Sequence, residues 1–475
     1  MPAKAGRAAS PDLQVRRPDT ALFATLGGLA IQSGVPSHLL RRLIIKELTD
    51  NGCDAADAAG RPGEVEVERL ADGAYRISDR GNGIPGTPED IAALFALDRP
   101  MISSKFWRLP LRGAMGNGIR CVAGACAATN GTIEVTSGRQ RVLLRPTKHG
   151  TEILSVTPMP EHEIGTQIVI AFGPNMPEDG DDLSWAEATI RLAKVAGPAY
   201  ARRPSPHWFD AEQLADTLFY VEPADTTVRE FIAGLDGCSG ARAGKVAAEF
   251  GKTRTCQSMS SADAAALLQA AQADARVVKP EALGPIGKRA FADDEYDGYA
   301  CRGGSFQHGA HFPQATVPFL VEAWAMTQNI KGRDCKLDLM VNRTAITTRV
   351  SGGRTWDGKK ITISGAELHS KIETKLGACE ILIHIASPFI PVSSIGKNPN
   401  LSVFELEICE VVRLAFNQSR KLLPSDETEP KKPAEPKPPP KPKPEVFVPT
   451  TRLGKLIEAA ASANLLELDD LTVLS

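Results

Sequence analysis

The chain has 475 residues, a net charge of −2, 42% hydrophobic and 24% charged residues, and nine cysteines. That length is enough for roughly two to four domains with ample core, and the near-neutral charge excludes a uniformly basic nucleic-acid binder, so any such contact must come from local patches. The cysteines form no Cys-x-x-Cys pair, which argues against a zinc ribbon or disulfide framework, and no stretch approaches the about 20 apolar residues that span a bilayer. The expectation is a cytoplasmic protein without a membrane segment, nucleoid-associated if it binds DNA.

Met1 to Asp19 is polar with scattered Arg and Lys and lacks an apolar signal core, so it is expected to be a disordered arm. Thr20 to Ala58 has helical periodicity broken around Ser33-Gly-Val-Pro36, with Ser37 a candidate N-cap for the second helix. On that helix Leu39, Leu40, Leu43, Ile44 and Leu48 mark a core face, while Glu47, Asn51 and Asp54 share another face. A carboxylate and a carboxamide one turn apart on a buried helix can handle water and a metal. Asp54 is expected to be structural.

Val65–Arg69 and Tyr75–Ser78 alternate as strands, and the second runs into Asp79-Arg-Gly81-Asn-Gly83. The glycines let the backbone approach a flat ligand, and Asp79 can accept from an exocyclic amine such as that of adenine. Ser103-Ser104-Lys105-Phe follows, then Arg112-Gly113-Ala114-Met115-Gly116-Asn117-Gly118-Ile119-Arg120 opening onto an apolar helix. Free amides at a helix start favour phosphate, and Lys105 and Arg120 can add charge. The loop lacks the Gly-Lys-Ser/Thr ending of a P-loop, and no parallel-strand unit precedes it, which argues against a nicotinamide site. Further strands are expected at Thr132–Thr136, Val142–Arg145, Ile153–Val156 and Thr166–Phe172.

From Val221 the chain turns to Ala-rich helices (Thr227–Ala233, Arg242–Phe250, Ala262–Ala273), carrying a basic cluster of Arg242, Lys245, Lys252 and Arg254. Phe312 to Pro391 reads as mixed strands and helices, and Ser402-x-x-Glu405 has the signature of a capping box opening a long helix to Leu423. Ser425 to Glu445 is a Lys/Glu/Pro linker, followed by a short apolar segment suited to docking or to packing back on its own domain.

The order of a Glu/Asn helix, Asp-x-Gly-x-Gly, Gly-x-x-Gly-x-Gly and Gly165-Thr166 before a strand resembles the GHKL ATPase superfamily. Within it, Ser-Ser-Lys-Phe before Arg-Gly-x-x-Gly-x-Gly, Ala282-Leu-Gly-Pro-Ile-Gly287, Val341-Asn-Arg-Thr344 and Ile385-Ala-Ser-Pro-Phe-Ile-Pro-Val-Ser-Ser-Ile-Gly-Lys397 resemble the B subunit of the type IIB topoisomerases, topoisomerase VI. The resemblance runs over residues 20–423 and implies an α+β fold: a GHKL (Bergerat) ATPase sandwich over 20–220, a helix-two-turn-helix insert over 221–290 and an α/β transducer over 291–424. Residues 425–446 would then be a linker and 447–475 a docking segment.

The same resemblance implies ATP and Mg²⁺. Glu47 would be the general base, Asn51 the magnesium ligand, Asp79 the adenine reader, and Lys397 a γ-phosphate sensor from the transducer. Gly81, Gly83, Ser104, Lys105, Gly113, Ala114, Met115, Gly116, Asn117, Gly118, Ile119 and Arg120 would line the nucleotide, with Thr166 supporting the adenine end through water. Expected partners are a second copy of the chain in an ATP-dependent dimer, double-stranded DNA, and a separate A-type subunit that cleaves it. None of the five tyrosines sits in a recognisable cleavage context. The competing reading is an ATP-switched clamp in repair or defence without topoisomerase activity.

Overall fold

The computed structural model of the chain describes residues 19–100, 104–113, 116–197, 199–291, 296–392 and 398–423. The chain divides into two compact units, Met1–Pro424 and Ser425–Ser475. The described residues all belong to the first, so the expectations for the N-terminal arm, the Pro-rich linker and the apolar end fall outside them.

The first layer holds α1 (Leu26–Ser33), α2 (Leu40–Ala58), β1 (Val65–Arg69), β2 (Tyr75–Asp79), α3 (Pro88–Leu94), α4 (Gly118–Thr129), β3 (Thr132–Thr147), β4 (Gly150–Ala171) and α5 (Ser184–Val195). The strands make one antiparallel sheet in the order β1-β2-β4-β3. Alternation decides its faces: Tyr75 and Ile77 point into the core, while Arg76 and Ser78 point outward. Leu43, Ile44, Ile45, Leu48, Val122, Ile133, Val135 and Ile170 complete that core, so α2 and α4 are pinned by their apolar sides against the sheet.

Two local expectations are corrected. Ser37 does not cap α2; Ser37–Leu39 forms a 3₁₀ turn and Leu39 takes the cap position without a side-chain bond. The four strands expected between Thr132 and Phe172 are two long ones. Gly138, at φ 60°, lies where the β3–β4 register shifts, a bulge that bends the pair without ending it.

A middle core gathers α6 (Ala211–Phe219), α7 (Val228–Ala233), α8 (Ala241–Ala248) and α9 (Ser261–Asp274) around Trp208, Phe209, Leu214, Phe231, Leu267 and Leu268. Tyr200 also packs into this core. Reciprocal capping boxes, Thr227 with Glu230 and Ser260 with Asp263, fix the starts of α7 and α9.

The remaining body contains β5 (Gly298–His308), β6 (Ala315–Asn329), β7 (Cys335–Val341), β8 (Thr344–Ala345), β9 (Ser351–Arg354), β10 (Lys360–Gly365), β11 (Leu368–Glu373), β12 (Ala378–Ala386) and α10 (Glu405–Lys421). Its sheets run β5-β6-β12-β7-β8, with β12 and β7 parallel, and β11-β10-β9. Ile408, Val411, Val412, Ala415 and Phe416 bury α10 against this body. Among the described residues Phe312 to Pro391 is all strand and connection, without the expected helices. β6 is buried on both faces, so its apolar run carries no period to tell strand from helix. The capping box expected at Ser402 does not form: Ser402 Oγ bonds Asn400 Oδ1 at 2.6 Å, and Glu405 Oε1 accepts from Ser370 at 2.7 Å. Among the described residues, no helix is long and apolar enough to cross a membrane.

Candidate active site

The core-facing side of α2 leaves Glu47, Asn51 and Asp54 half-buried on the opposite side, where three other segments converge on them. The start of α4 comes closest. A Cβ built at Gly118 would lie 2.2 Å from Glu47 Oε2, so the carboxylate rests against the helix N-terminus only because residue 118 is glycine. Asn117 holds the N-cap position without a capping side-chain bond, and the first turn of α4 contains no acidic residue. The amides of that turn face a direction that favours negative charge. Gly113 and Gly116, at φ 61° and 68°, take left-handed conformations suited to a loop that curls its amides inward.

The end of β2 closes the other side. Asp79 Oδ1 accepts from the amides of Gly81 at 2.7 Å and Thr166 at 3.3 Å, while its Oδ2 lies near Gly52 of α2. Burial pushes the Asp79 carboxyl above its ordinary range, and the two backbone donors only partly offset that. Close approach here depends on small residues. A Cβ at Gly81 would meet Ala55 Cβ at 2.8 Å, and one at Gly165 would meet Asp79 O at 1.9 Å. Gly83, at φ 78°, turns beside Ser137, whose Oγ receives Ile84 N at 2.7 Å.

Glu47, Asn51, Asp79, Gly81 and Thr166 therefore gather along α2, the end of β2 and the facing strand, and Gly118 meets them at Glu47. Ile119 packs on the core. Arg120 turns elsewhere: its guanidinium donates to the Arg99 carbonyl and lies 5.6 Å from the centre of the Phe23 ring. Ser104 and Lys105 start a 3₁₀ turn. Ala114, Met115 and Lys397 lie outside the described residues. In the insert, Lys245 pairs with Asp274 at 3.4 Å and Arg254 with Asp263 at 2.8 Å, so part of the expected basic cluster is locally neutralised.

Sequence reasoning assigned no role to four residues behind the site. Arg112, at the head of the glycine loop, is buried and donates from Nη1 to Asp57 at 2.6 Å and Asp54 at 3.1 Å. Its Nε donates to the Arg343 carbonyl at 3.3 Å. Lys46 and Asp50 form a buried i,i+4 ion pair at 2.6 Å, with Lys46 Nζ also 4.0 Å from Glu47 Oε1. Burial opposes the Lys46 charge, but Asp50 and Glu47 together hold its pKa above the ordinary lysine value. Thr344, from the last body of the fold, donates to Asp50 Oδ1 at 2.6 Å. The only local signals were a charged pair at helical spacing and an Arg beside the first loop glycine.

No family model matches the chain, and no curated protein matches it. Among solved structures it is similar to the 43K ATPase domain of Thermus thermophilus gyrase B in complex with an aminocoumarin. That likeness has 13% identity and a TM-score of 0.28, and covers 80% of this chain and 88% of that one. At that score the likeness carries no weight for fold or function.

Proposed function

We propose that the chain is an ATPase of the GHKL type, with its nucleotide site between α2, the end of β2 and the start of α4. The observation that carries this reading is the meeting of Glu47 with the uncapped start of α4, on a helix whose next polar turn is Asn51 and whose Gly52 faces Asp79. A base on α2, the anion-favouring start of α4 and an amine acceptor at the end of β2, brought together along α2, are the groups that ATP hydrolysis asks for.

In this reading Asp79 accepts from the exocyclic amine of adenine. Gly81 and Gly165 let the end of β2 pack closely against Ala55 of α2 and the turn before Thr166, which holds the Asp79 carboxylate in place. The loop from Gly113 to Gly118 and the first turn of α4 receive the phosphates. Glu47 takes the proton of the attacking water, a contribution of about 10²–10⁴ in rate. Magnesium fits the donor set, because it is commonly held by one or two protein oxygens together with phosphate oxygens and water. The Asn51 side-chain oxygen, one turn from Glu47, offers such a ligand. Bound there, the ion would neutralise phosphate charge. Lys397 is assigned the γ-phosphate contact from the last body.

The finer reading is a B-type subunit of a type IIB topoisomerase or a similar complex. It would dimerise on ATP, contact double-stranded DNA and work with a DNA-cleaving A-type partner. Its support is the Ser-Ser-Lys-Phe, Leu-Gly-Pro-Ile-Gly and Asn-Arg-Thr segments in sequence.

Phosphate release by the purified chain tests the ATPase. Activity in wild type that is lost in Glu47→Ala supports it, and equal activity in both removes Glu47 as the base. Co-purification followed by DNA relaxation tests the finer reading; a chain that hydrolyses ATP yet brings down no cleaving subunit favours the clamp without topoisomerase activity.

A further inference from the structure

The turn between β7 and β8 reaches across the fold to the back of α2. Asn342 and Arg343 occupy its two central positions at φ 48° and 66°, the left-handed pair of a tight hairpin. Several bonds hold it rigid. Asn342 exchanges hydrogen bonds with the Ser387 backbone, donating to its O and accepting from its N, both at 2.9 Å. The Arg343 guanidinium donates to the carbonyls of Gly197 at 2.8 Å and Gly284 at 3.1 Å. Thr344 then presents its hydroxyl to Asp50, which is almost wholly buried.

From Asp50 the chain of contacts continues to Lys46 and on to Glu47. A buried carboxylate needs partners for both oxygens. Here Thr344 supplies one to Oδ1 and Lys46 the other to Oδ2. If the hydroxyl is removed, Asp50 keeps only Lys46, and the ammonium is drawn further from Glu47. The last body of the fold thus supports the site helix with a buried hydroxyl that bonds Asp50.

We propose that Thr344 is a positioning residue for Glu47: through Asp50 and Lys46 it sets the carboxylate for hydrolysis, so the placement of the 342–344 turn governs turnover rather than nucleotide affinity. This rests on the ATPase reading above. Nucleotide-driven movement that shifts the turn would switch hydrolysis from a distance, by the loss or gain of one hydrogen bond.

The test uses the full chain and three variants: Thr344→Val, Thr344→Ser and Thr344→Ala. Steady-state hydrolysis gives kcat and KM, and titration with a fluorescent ATP analogue gives affinity. The expected result is kcat lower by about tenfold in Thr344→Val, affinity within about twofold of wild type, and most of kcat retained in Thr344→Ser. A kcat in Thr344→Val equal to wild type overturns the inference, as does a loss of affinity matching the loss of kcat. If Thr344→Val does not fold, the comparison of Ser with Ala decides: Ser near wild type and Ala low supports the inference, and equal rates overturn it. Wild-type chain that neither binds nor hydrolyses ATP fails the ATPase reading itself, a result separate from any difference among the variants.

Discussion

Glu47 Oε2 and Gly118 touch so closely that a Cβ on residue 118 would lie 2.2 Å from that oxygen and 3.2 Å from Glu47 Cδ. Gly118 opens α4, where alanine in place of glycine ordinarily stabilises a helix by about 0.5–1 kcal/mol. The obstructing atom is the end of a flexible side chain, so the fold can absorb a methyl group by moving the carboxylate. Gly118→Ala is therefore expected to keep or raise the unfolding midpoint while lowering ATP turnover by at least about tenfold, ~1.4 kcal/mol in barrier. Thermal unfolding and phosphate release on the same sample check it; unchanged turnover would mean that the observed Glu47 position is not the working one.

Arg112 ties the glycine loop to α2 through Asp54 and Asp57. Burial works against its charge, yet Asp54, Cys53 and Asp57 hold its pKa above the ordinary arginine value. Removing one partner of a buried pair leaves charge unmatched, at about 3–5 kcal/mol. The two aspartates keep 22% and 19% of their side-chain surface exposed, which points to the low end. Arg112→Gln is expected to lose about 3 kcal/mol of stability, read as a lower urea midpoint. A loss below about 1 kcal/mol would rank the pair with exposed salt bridges.

What was legible and what was not follows from the range of each interaction. The polar stripe of α2, the Asp79 turn and the glycine loop are local patterns, and it was the resemblance of their order to the GHKL superfamily, not their spacing, that assigned them to one site. Arg112, Asp50 and Thr344 carry no such pattern. The Asp50–Thr344 bond joins residues 294 apart in sequence, and a threonine after a hairpin turn looks like any other strand residue. The misplaced caps at Ser37 and Ser402 have a different origin. Both residues fit the local signature, but a 3₁₀ turn ahead of each helix moved the cap position onward.

Asp79 carries a conflict between stability and recognition. Its pKa is raised in the fold, so the native state holds a proton more tightly than the unfolded chain, and this carboxyl contributes less stability as pH rises above its ordinary value of about 3.9. Asparagine keeps an oxygen for the Gly81 and Thr166 amides without the buried charge. Asp79→Asn is expected to unfold at the same temperature or higher at pH 7, yet to lose preference for ATP over GTP. Competition of the two nucleotides against a fluorescent analogue checks it. A variant that still discriminates as wild type does would remove Asp79 as the adenine reader.

His384 sits fully buried between Glu322 and the 342–344 turn, and its two ring nitrogens are assigned by their neighbours. The backbone N–H of Arg343 points at Nε2 at 3.2 Å, and an N–H can only donate, so Nε2 carries no proton. Nδ1 then donates to Glu322 Oε2 at 3.2 Å, and the ring is neutral. Burial, reinforced by Arg343 and Arg112, outweighs the pull of Glu322 and keeps the His384 pKa below its ordinary value. Burial also works against the Glu322 charge, but His384 and the amides of Ile286 and Gly287 hold its carboxyl below the usual range. Both shifts have the same consequence on acidification. The unfolded chain takes up a proton at His384 near pH ~6.5 while the fold resists it, so stability falls below that pH until the folded pKa is reached. Glu322 adds a second loss below about pH 4.3. His384→Asn is expected to flatten the first of these windows. Urea midpoints between pH 7.5 and 5 should fall more steeply in wild type than in the variant, by up to about 1.4 kcal/mol per pH unit. Parallel slopes would show that His384 is already charged in the fold, with the Arg343 amide bonded elsewhere.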